Sequence, residues 1–331
     1  MRSVYIIENP LVDHIAHESY GFVERFGSRP GTMQLVDRAT FEAVVAAARS
    51  VSLVPGGSGA NTARALAMLQ GPGGGAFGRP AYAGAIGRDK AGEAFAAGLA
   101  DAGVDSFLAL KDDATGSSAI VVTPDHERTM FTNLGACQNY GPADLDLSPL
   151  EDSRYFYSTG YMWDTPPQKE ALLAAVDAAL SKRVPVCFDL ADPFVVDRYY
   201  AELRDWLPGH VEVLFGNRAE LSRLCDCEGP DPEIVRLASR YAPVVAMKIG
   251  KGGCLVRSRE RLVHAPGELV VPVDTTGAGD SFAAGFLYGL LAGADLGACG
   301  RLANRVASRI VAAGGCRYDL LDRADCLAAL D

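Results

Sequence analysis

A short run near the C-terminus, Asp274-Thr-Thr-Gly-Ala-Gly-Asp280, combines glycines and carboxylates of the kind that can bind an anion and move a proton. It follows a β-like stretch at 269–273 and precedes an apolar pattern typical of a buried helix. Since residues 277–279 have almost no side chain, their amides can approach an anion at the helix N-terminus. Asp280, in the first turn, could accept a hydroxyl proton as that oxygen attacks phosphorus. An ordinary helix N-terminus with an acidic residue explains the same pattern, so the run alone leaves both interpretations open.

The elements around this run alternate between strand and helix patterns. Short apolar runs of the kind found in buried strands occur at 4–7, 51–54, 81–85, 155–157, 184–188, 211–215 and 244–247. Helical stretches lie between them at 59–70, 90–102, 168–181, 198–206 and 232–241. Because alternating strands and helices form right-handed βαβ units, we predict an α/β fold with a mostly parallel central sheet covered on both faces.

Two segments interrupt this alternation and predict a small, half-exposed sheet. Residues 21–26 with 32–36, and 117–123 with 128–132, have the pattern of short strand pairs. We expect these strands to be inserted at about 14–37 and 104–134 in a single domain spanning 1–331. The small sheet could be a simple β-extension, but we favour a lid, since lids sequester the reacting groups in many transferases. His14 and His17 precede a strand and lack the carboxylate of a zinc-protease motif, so we expect surface or lid residues.

Two common nucleotide-binding patterns are misplaced or absent. Gly73-Gly-Gly-Ala-Phe-Gly78 matches the dinucleotide fingerprint G-x-G-x-x-G, but it follows a helix and precedes a strand, which is the wrong order. We therefore predict a loop at this position. No Gly-Lys-Ser/Thr occurs in the sequence, which excludes a Walker P-loop. Any phosphate chemistry must use another cradle.

Composition and charge exclude several classes of protein. With 331 residues, of which 49% are hydrophobic and 22% charged, the chain has an ordinary globular composition. Its net charge of −10 argues against nucleic-acid or membrane-surface partners, which need a basic face. The first apolar run is too short for a signal peptide, and no apolar stretch approaches the ~18 residues of a membrane span. We expect a cytoplasmic protein.

Five segments together resemble the ribokinase/PfkB family of small-molecule kinases. The run 274–280 is similar to the family's C-terminal motif, and four other segments are similar to its remaining motifs in the same order. They are Pro55-Gly-Gly-Ser-Gly-Ala-Asn-Thr62, Ala85-Ile-Gly-Arg-Asp-Lys-Ala-Gly92, Asn217-Arg-Ala-Glu220 and Lys248-Ile-Gly-Lys-Gly-Gly253. Asn9-Pro-Leu-Val-Asp13 is similar to a segment of the adenosine kinases within this family. The resemblance covers the whole chain and implies a ribokinase-like three-layer fold with a small β-sheet lid.

The resemblance implies ATP-dependent transfer of the γ-phosphoryl group to the 5′-hydroxymethyl of a ribonucleoside, with adenosine as the first candidate. It also implies Mg²⁺ and, as a further option, K⁺. The partners would be small molecules, and the chain a monomer or homodimer. A sugar kinase of the same family is the main alternative, and a smaller, more polar acceptor pocket would distinguish it. A catalytically silent nucleoside-binding relative is a third interpretation, and an oxidoreductase based on residues 73–78 a fourth.

The resemblance also implies a role for each matching residue. The residues implied in catalysis are Asp280 as the base, Gly277, Ala278 and Gly279 as the anion hole, and Arg128 at the lid edge. Those implied in acceptor binding are Asn9, Asp13, Gly57, Ser58 and Asn61. Those implied in nucleotide binding are Asn217, Glu220, Lys248, Gly250, Gly253 and Asn304, with Ala303 beside the adenine. The implied metal-site residues are Glu220 for Mg²⁺ through water, and Asp274 and Thr276 for a monovalent cation.

Two positions depart from the family pattern. Glu8 stands before Asn9 where adenosine kinases usually have Gly, so the floor of the sugar pocket could differ. Lys248 replaces the usual Thr of the nucleotide motif, and it could contact a phosphate or simply end a strand. For a purine acceptor, we expect Tyr161 or Met162 to supply a flat apolar slot.

Overall fold

The apolar runs form the strands of two sheets in the computed structural model, which describes residues 1–28, 30–125, 127–259 and 261–330. The strands are Arg2–Ile7 (β1), Leu11–His17 (β2), Met33–Leu35 (β3), Ser52–Pro55 (β4), Ala81–Gly87 (β5), Asp105–Lys111 (β6), Gly116–Val122 (β7), Arg128–Asn133 (β8), Ser153–Thr159 (β9), Val186–Asp189 (β10), Val213–Asn217 (β11), Val244–Lys248 (β12), Cys254–Ser258 (β13) and Arg261–Ala265 (β14). Residues 29 and 126, which fall within the predicted lid segments, lie outside the described residues.

Helices connect most of the strands. The α-helices are Tyr20–Arg25 (α1), Arg38–Ala47 (α2), Ser58–Gln70 (α3), Lys90–Asp101 (α4), Pro166–Ser181 (α5), Pro193–Arg198 (α6), Tyr200–Trp206 (α7), Arg218–Cys225 (α8), Asp231–Ala238 (α9), Ala278–Leu291 (α10), Leu296–Ala313 (α11) and Arg323–Leu327 (α12). Short 3₁₀ helices occur at Pro72–Gly74, Gly135–Asn139, Pro142–Asp144, Ser148–Glu151, Gly160–Trp163, Gly250–Gly252 and Tyr318–Leu320. Across the described residues, no helix combines the length and the apolar character that a bilayer crossing requires.

The larger sheet has the strand order β14-β13-β12-β11-β10-β9-β1-β5-β6. Strands β12 to β6 in this order are parallel, and β13 and β14 are added antiparallel. One face packs against α3, α10 and α11 through residues such as Leu66 and Phe286. The other face packs against α5, α8 and α9 through residues such as Leu172 and Leu221. The predicted α/β architecture, with a mostly parallel sheet covered on both faces, is confirmed.

The smaller sheet has the strand order β3-β8-β7-β2-β4. Successive side chains of a strand point to opposite faces. On β7, Ala119 and Val121 pack under Phe41 of helix α2, whereas Ser118 and Ile120 line a cavity between the two sheets. One face of the smaller sheet is therefore its own core, and the other is a wall of the cavity.

Three predictions about these elements are wrong. Residues 21–25 lie in helix α1 rather than a strand, and Phe26 follows as its C-cap. Ser19 caps the start of this helix by accepting the N–H of Phe22 at 3.3 Å. Residues 51–54 form no buried strand: β4 is an edge of the smaller sheet, and Leu53 is 66% exposed. His14 and His17 do not precede a strand, since both lie within β2.

Two further differences concern the ends of predicted segments. Strand β6, at the start of the 104–134 segment, pairs with β5 in the larger sheet, so only β7 and β8 of this segment join the smaller one. The apolar residues 269–273 form no strand, and Leu269 and Val271 are 85% and 84% exposed. An apolar run indicates a strand only where a neighbouring strand is available to pair with it. The predicted loop at residues 73–78 contains no strand and only the 3₁₀ turn Pro72–Gly74.

Candidate functional site

A cavity of about 1010 Å³ lies between the two sheets, at the carboxyl ends of the parallel strands. Glu8 follows β1, and the last residues of β10, β11 and β12 are Asp189, Asn217 and Lys248. All four line the cavity. Ligands of open parallel α/β sheets bind at this edge because the loops there converge. We call the part around Glu8, Asn9, Asp13, Asn61 and the smaller sheet the acceptor end. The part around Gly250, Gly253, residues 267–273 and Asn304 is called the nucleotide end.

The glycine turn of the C-terminal run lies between these two ends. Gly277 has a φ of +72°, and a Cβ added there would stand 2.4 Å from the Cys316 sulfur. Only glycine fits such a position without strain. Helix α10 begins directly after it, and the amides of Gly279 and Asp280 have no acceptor among the described residues. The turn therefore presents free N–H groups at the positive end of a helix dipole, which is the arrangement that attracts an anion.

Asp280 is held by two residues of helix α3. Ser58 Oγ donates to Asp280 Oδ1 at 2.7 Å, and Asn61 Nδ2 donates to Oδ2 at 2.8 Å. Burial raises the pKa of Asp280, although the hydrogen bonds from Asn61 and Ser58 lower it. A fixed carboxylate beside an anion site, with a pKa above its ordinary value, is suited to accept a proton.

Asp13 is a buried carboxylate, 8% exposed, at the acceptor end. Its side chain accepts no hydrogen bond from the residues that the structure describes. Burial raises its pKa to about 7, although the Arg64 guanidinium lowers it. Gly56 makes room for this side chain, because a Cβ there would lie 2.2 Å from Asp13 Cγ. Arg64, which the sequence did not single out, donates to Asn61 Oδ1 at 3.1 Å and so turns the Asn61 amide toward Asp280.

Glu8 and Asn9 form the floor of the acceptor end. The Glu8 carboxylate is 1% exposed and accepts the N–H of Asn9 at 2.7 Å and the hydroxyl of Thr159. Gly59 leaves space for it, since a Cβ at that position would stand 2.5 Å from Glu8 Cβ. Burial raises the pKa of Glu8 to about 7. Asn9 Oδ1 accepts from Gln168 on α5, which orients its amide.

Asn217 and Glu220 form a capping box at the start of α8. Asn217 Oδ1 accepts the N–H of Glu220 at 2.9 Å, and the Glu220 carboxylate accepts the N–H of Asn217 at 2.7 Å. This pair therefore has a structural role that stabilises a helix N-terminus. Both residues also line the cavity. Burial raises the pKa of Glu220, and the nearby Lys248 ammonium counteracts this effect.

Lys248 forms an ion pair with Asp189. Its Nζ lies 2.8 Å from Oδ2 and 3.1 Å from Oδ1, and its side chain is 17% exposed. Burial lowers the pKa of Lys248, but the carboxylates of Asp189 and Glu220 outweigh burial and raise it. Asp189 was missed at the sequence level, although its place at the end of a buried parallel strand was a usable signal.

The remaining nucleotide-end residues lie around two loops. Gly250 and Gly253 have φ values of +58° and +91° in the turn between β12 and β13, and both line the cavity. Asn304 Nδ2 donates to the carbonyl oxygens of Ala265 and Pro266 at 2.9 and 3.1 Å, so it fixes the loop that follows β14. Ala303 does not line the cavity, contrary to our expectation: it is fully buried against Gly285 of α10.

Asp274 and Thr276 stabilise the start of the glycine turn. Asp274 Oδ1 accepts the N–H and the hydroxyl of Thr276 at 2.8 and 2.7 Å, and Oδ2 accepts the N–H of Gly315 at 3.2 Å. No cluster of three or more His, Cys, Asp or Glu side chains suited to a metal occurs in the described ranges. A monovalent cation at Asp274 and Thr276 stays a prediction.

The smaller sheet supplies the wall opposite Asp280. Met33, Ile120 and Met130 line the cavity together with Arg128, the first residue of β8. These three apolar residues were not predicted, since their inward direction depends on strand pairing. Tyr161 also lines the cavity, whereas Met162 is 1% exposed in the core of the larger sheet. Of the two expected slot residues, only Tyr161 reaches the site.

The chain is similar to known kinases of small molecules. Residues 21–323 match the family described as pfkB family carbohydrate kinase. Adenosine kinase of Saccharomyces cerevisiae is 29% identical over 312 residues, which are 88% of this chain and 89% of the relative. The solved structure of adenosine kinase from Sinorhizobium meliloti has a TM-score of 0.92 at 32% identity, and a probable sugar kinase from Rhizobium etli has 0.93 at 30%. Each alignment covers 99% of both chains.

These similarities confirm the ribokinase-like fold and the resemblance to small-molecule kinases. They also confirm the prediction of a phosphotransferase with an alcohol group as acceptor, a reaction that a fixed carboxylate beside an anion-binding turn can perform. The chain belongs to the pfkB family of carbohydrate kinases.

Proposed function

We propose that this chain is an adenosine kinase-like enzyme, which transfers the γ-phosphoryl group of ATP to the 5′-hydroxymethyl of a ribonucleoside, with adenosine as the first candidate. The observation that carries the proposal is the position of Asp280. This partly buried carboxylate is fixed by Ser58 and Asn61 beside the glycine turn, between the two ends of one cavity. Relatives that cover nearly all of the chain are named adenosine kinases, which supports the choice of acceptor.

The buried polar residues of the acceptor end suit a ribose. Asp13 is buried without a donor among the described residues, and an unpaired buried carboxylate is costly. Two vicinal hydroxyl groups can donate to one carboxylate, so a ribose cis-diol would satisfy Asp13. The Asn9 and Asn61 amides, with Gly57 and Ser58, would bind the rest of the sugar and leave its 5′-hydroxyl near Asp280.

The apolar wall favours a nucleoside over a free sugar. Met33, Ile120 and Met130 from the smaller sheet and the Tyr161 ring border the same cavity. A purine would pack against these apolar side chains, whereas a bare sugar offers them mostly polar groups. The family alternative, a sugar kinase, would need a smaller and more polar pocket.

In the proposed reaction, Asp280 accepts the 5′-hydroxyl proton as the oxygen attacks the γ-phosphorus. The N–H groups of Gly277 and Gly279 would stabilise the charge on the transferred group, and Arg128 at the lid edge would neutralise part of it. The N–H of Ala278, expected to join them, instead donates to the carbonyl oxygen of Thr275 at 3.3 Å. Mg²⁺, when bound with the nucleotide, supplies further charge neutralisation. The oxygen donors of Asn217, Glu220 and Asp189 fit Mg²⁺ held through water, since this ion needs few protein ligands.

The experiment that tests the proposal is a substrate panel. The purified chain is given Mg·ATP with adenosine, other nucleosides, ribose and fructose, and ADP release is measured for each. We expect the highest kcat/KM for adenosine. Turnover only with sugars would overturn the choice of acceptor, and no turnover with any compound would favour a silent nucleoside-binding protein.

A further inference from the structure

The Lys248 side chain extends across the end of the neighbouring strand β11 and lines the cavity. Strand β11 lies between β10 and β12, and neighbouring strands are about 4.8 Å apart. The Lys248 side chain, at the end of β12, therefore crosses the end of β11 to meet Asp189 at the end of β10. A lysine that merely ended its strand would extend into solvent, but this side chain is mostly buried.

The Lys248 ammonium directly faces the glycine turn. A Cβ added at Gly279 would stand 3.5 Å from Lys248 Nζ, and no other heavy atom of the surroundings lies within 4 Å of it. The ammonium therefore lies beside the first turn of α10. A phosphoryl group bound to the free amides of Gly279 and Asp280 would lie within reach of it.

The charge of the cavity wall makes this cation important. Eleven of the side chains that line the cavity are carboxylates, while three, Arg128, Lys248 and Lys251, are cations. Lys251 is exposed and Arg128 lies on the smaller sheet, so Lys248 is the one of the three that lies at the strand ends beside the glycine turn. A polyphosphate entering so acidic a cavity needs a cation at the position where its negative charge is concentrated.

The ion pair with Asp189 leaves one N–H donor of the Lys248 ammonium unused. Asp189 Oδ1 also accepts the N–H of Ala191 at 3.0 Å, which fixes the carboxylate. An ammonium has three N–H donors, and two suffice for the two oxygens of Asp189. One donor therefore remains for a phosphoryl oxygen on the side of Gly279.

We infer that Lys248 is a catalytic residue that binds the terminal phosphoryl group of the nucleotide, and that Asp189 positions it. This inference rests on the proposed function. In the transfer, the acceptor oxygen forms a bond to the γ-phosphorus, and the bond to the β,γ-bridging oxygen breaks. The hydroxyl proton passes to Asp280, and ADP leaves with the electron pair of the broken bond. Lys248 keeps its proton and donates to a non-bridging oxygen throughout.

The test compares nucleotides that do and do not carry the terminal phosphoryl group. Lys248→Gln removes the charge and leaves a polar amide at this position, so a purely structural lysine would be partly replaced. Calorimetry with AMP-PNP and with ADP, each with Mg²⁺, gives the two affinities.

We expect Lys248→Gln to weaken AMP-PNP binding about 10-fold or more and ADP binding less than about 3-fold. We expect kcat to fall by about 10²–10³-fold. Equal weakening of both nucleotides, or of neither, would overturn the inference.

Two additions keep the test decisive. Lys182→Gln makes the same change in an exposed lysine outside the cavity, and it should leave both affinities and kcat unchanged. If Lys248→Gln does not fold, wild-type protein is treated with an amine-modifying reagent and Lys248 is followed by mass spectrometry. AMP-PNP should protect Lys248 more than ADP does, and equal protection would contradict the assignment. Wild-type protein without kinase activity would refute the proposed function, whereas active wild type with an active Lys248→Gln would refute only this inference.

Discussion

Buried side chains line the acceptor end of the cavity, whereas loops and backbone line much of the nucleotide end. Glu8, Asn9, Asp13 and Asn61 are each less than a tenth exposed. At the other end, Leu269 and Val273 are 85% and 59% exposed, and the turn between β12 and β13 contributes glycines. The two ends meet at Asp280. Under the proposed function, buried charged and polar side chains would recognise the acceptor, whereas backbone and exposed loop residues would contact much of the nucleotide.

Two buried carboxylates give the acceptor end an energetic cost, whereas the Lys248 ammonium counteracts the corresponding cost at Glu220. Burial raises the pKa values of Asp13 and Glu8 to about 7, which means that their charged forms are destabilised in the empty cavity. A ligand that donates hydrogen bonds to them recovers this energy. Selectivity should therefore be stronger for the acceptor than for the base of the nucleotide.

Replacing Asp280, the proposed catalytic base at the point where the two ends meet, has the largest expected effect on kcat. Both ends of the cavity stay intact in this variant. Asp280→Asn keeps the size of the side chain but cannot accept the hydroxyl proton. We expect kcat to fall by about 10²–10⁴-fold. Binding of nucleotide and of acceptor should change little. ADP release and calorimetry measure these quantities.

A matched control makes the same change on the exposed surface of helix α5. Asp177→Asn should keep wild-type kcat and both affinities. Near-full activity of Asp280→Asn would contradict the assignment of Asp280 as the base. Loss of nucleotide and acceptor binding along with kcat would show that the two ends are not independent.

Much of the larger sheet could be predicted because its strands are locally encoded. Buried parallel strands are continuous apolar runs, and the helices between them have their own periodicity. The smaller sheet was harder, since its strands are short and half-exposed. Ser19, a helix cap, decides the conformation of residues 20–25, and the apolar run 269–273 has no neighbouring strand to pair with.

The site residues were likewise predictable where they are neighbours in the chain and not where they are distant in it. The glycine turn and Asp280 are contiguous in sequence, so their relation could be predicted. Lys248 and Asp189 are 59 positions apart, and Glu8 and Thr159 are 151 apart. These pairs form because their strands are near one another in the sheet, and strand order is not visible in a single sequence. Contacts between these residues, which are distant in the chain, were therefore not predicted.

The next largest effect should fall on the acceptor end alone. Asp13→Asn removes a charged acceptor for two hydroxyl groups, and a hydrogen bond to a charged group contributes about 1.5–3 kcal/mol. We expect the acceptor KM to rise about 10–100-fold and the nucleotide KM to stay the same. Steady-state kinetics with each substrate varied gives both values. Equal rises in the two KM values would contradict the assignment of Asp13 to the acceptor end alone.

The same substitution should stabilise the empty protein at high pH. The folded pKa of Asp13 is about 7, above its ordinary value of 3.8, so folding takes up a proton between these values. Stability is therefore lost as the pH rises from about 4 to about 7. Asp13→Asn removes this loss, and its melting temperature should exceed that of wild type more at pH 8 than at pH 5. Thermal unfolding at both pH values tests this, with Asp177→Asn expected to show no such difference.

The smallest effect is expected from the exposed loop of the nucleotide end. Leu269→Ser removes an apolar side chain that lines the cavity but is 85% exposed. A nucleotide base could bury only part of this side chain, and at about 25 cal/mol per Å² we expect the nucleotide KM to rise about 2–5-fold. The acceptor KM and the melting temperature should not change. Leu53→Ser, which alters a 66% exposed leucine outside the cavity lining, is the matched control and should change neither KM. A larger effect of Leu269→Ser on the acceptor than on the nucleotide would mean that this loop belongs to the acceptor end.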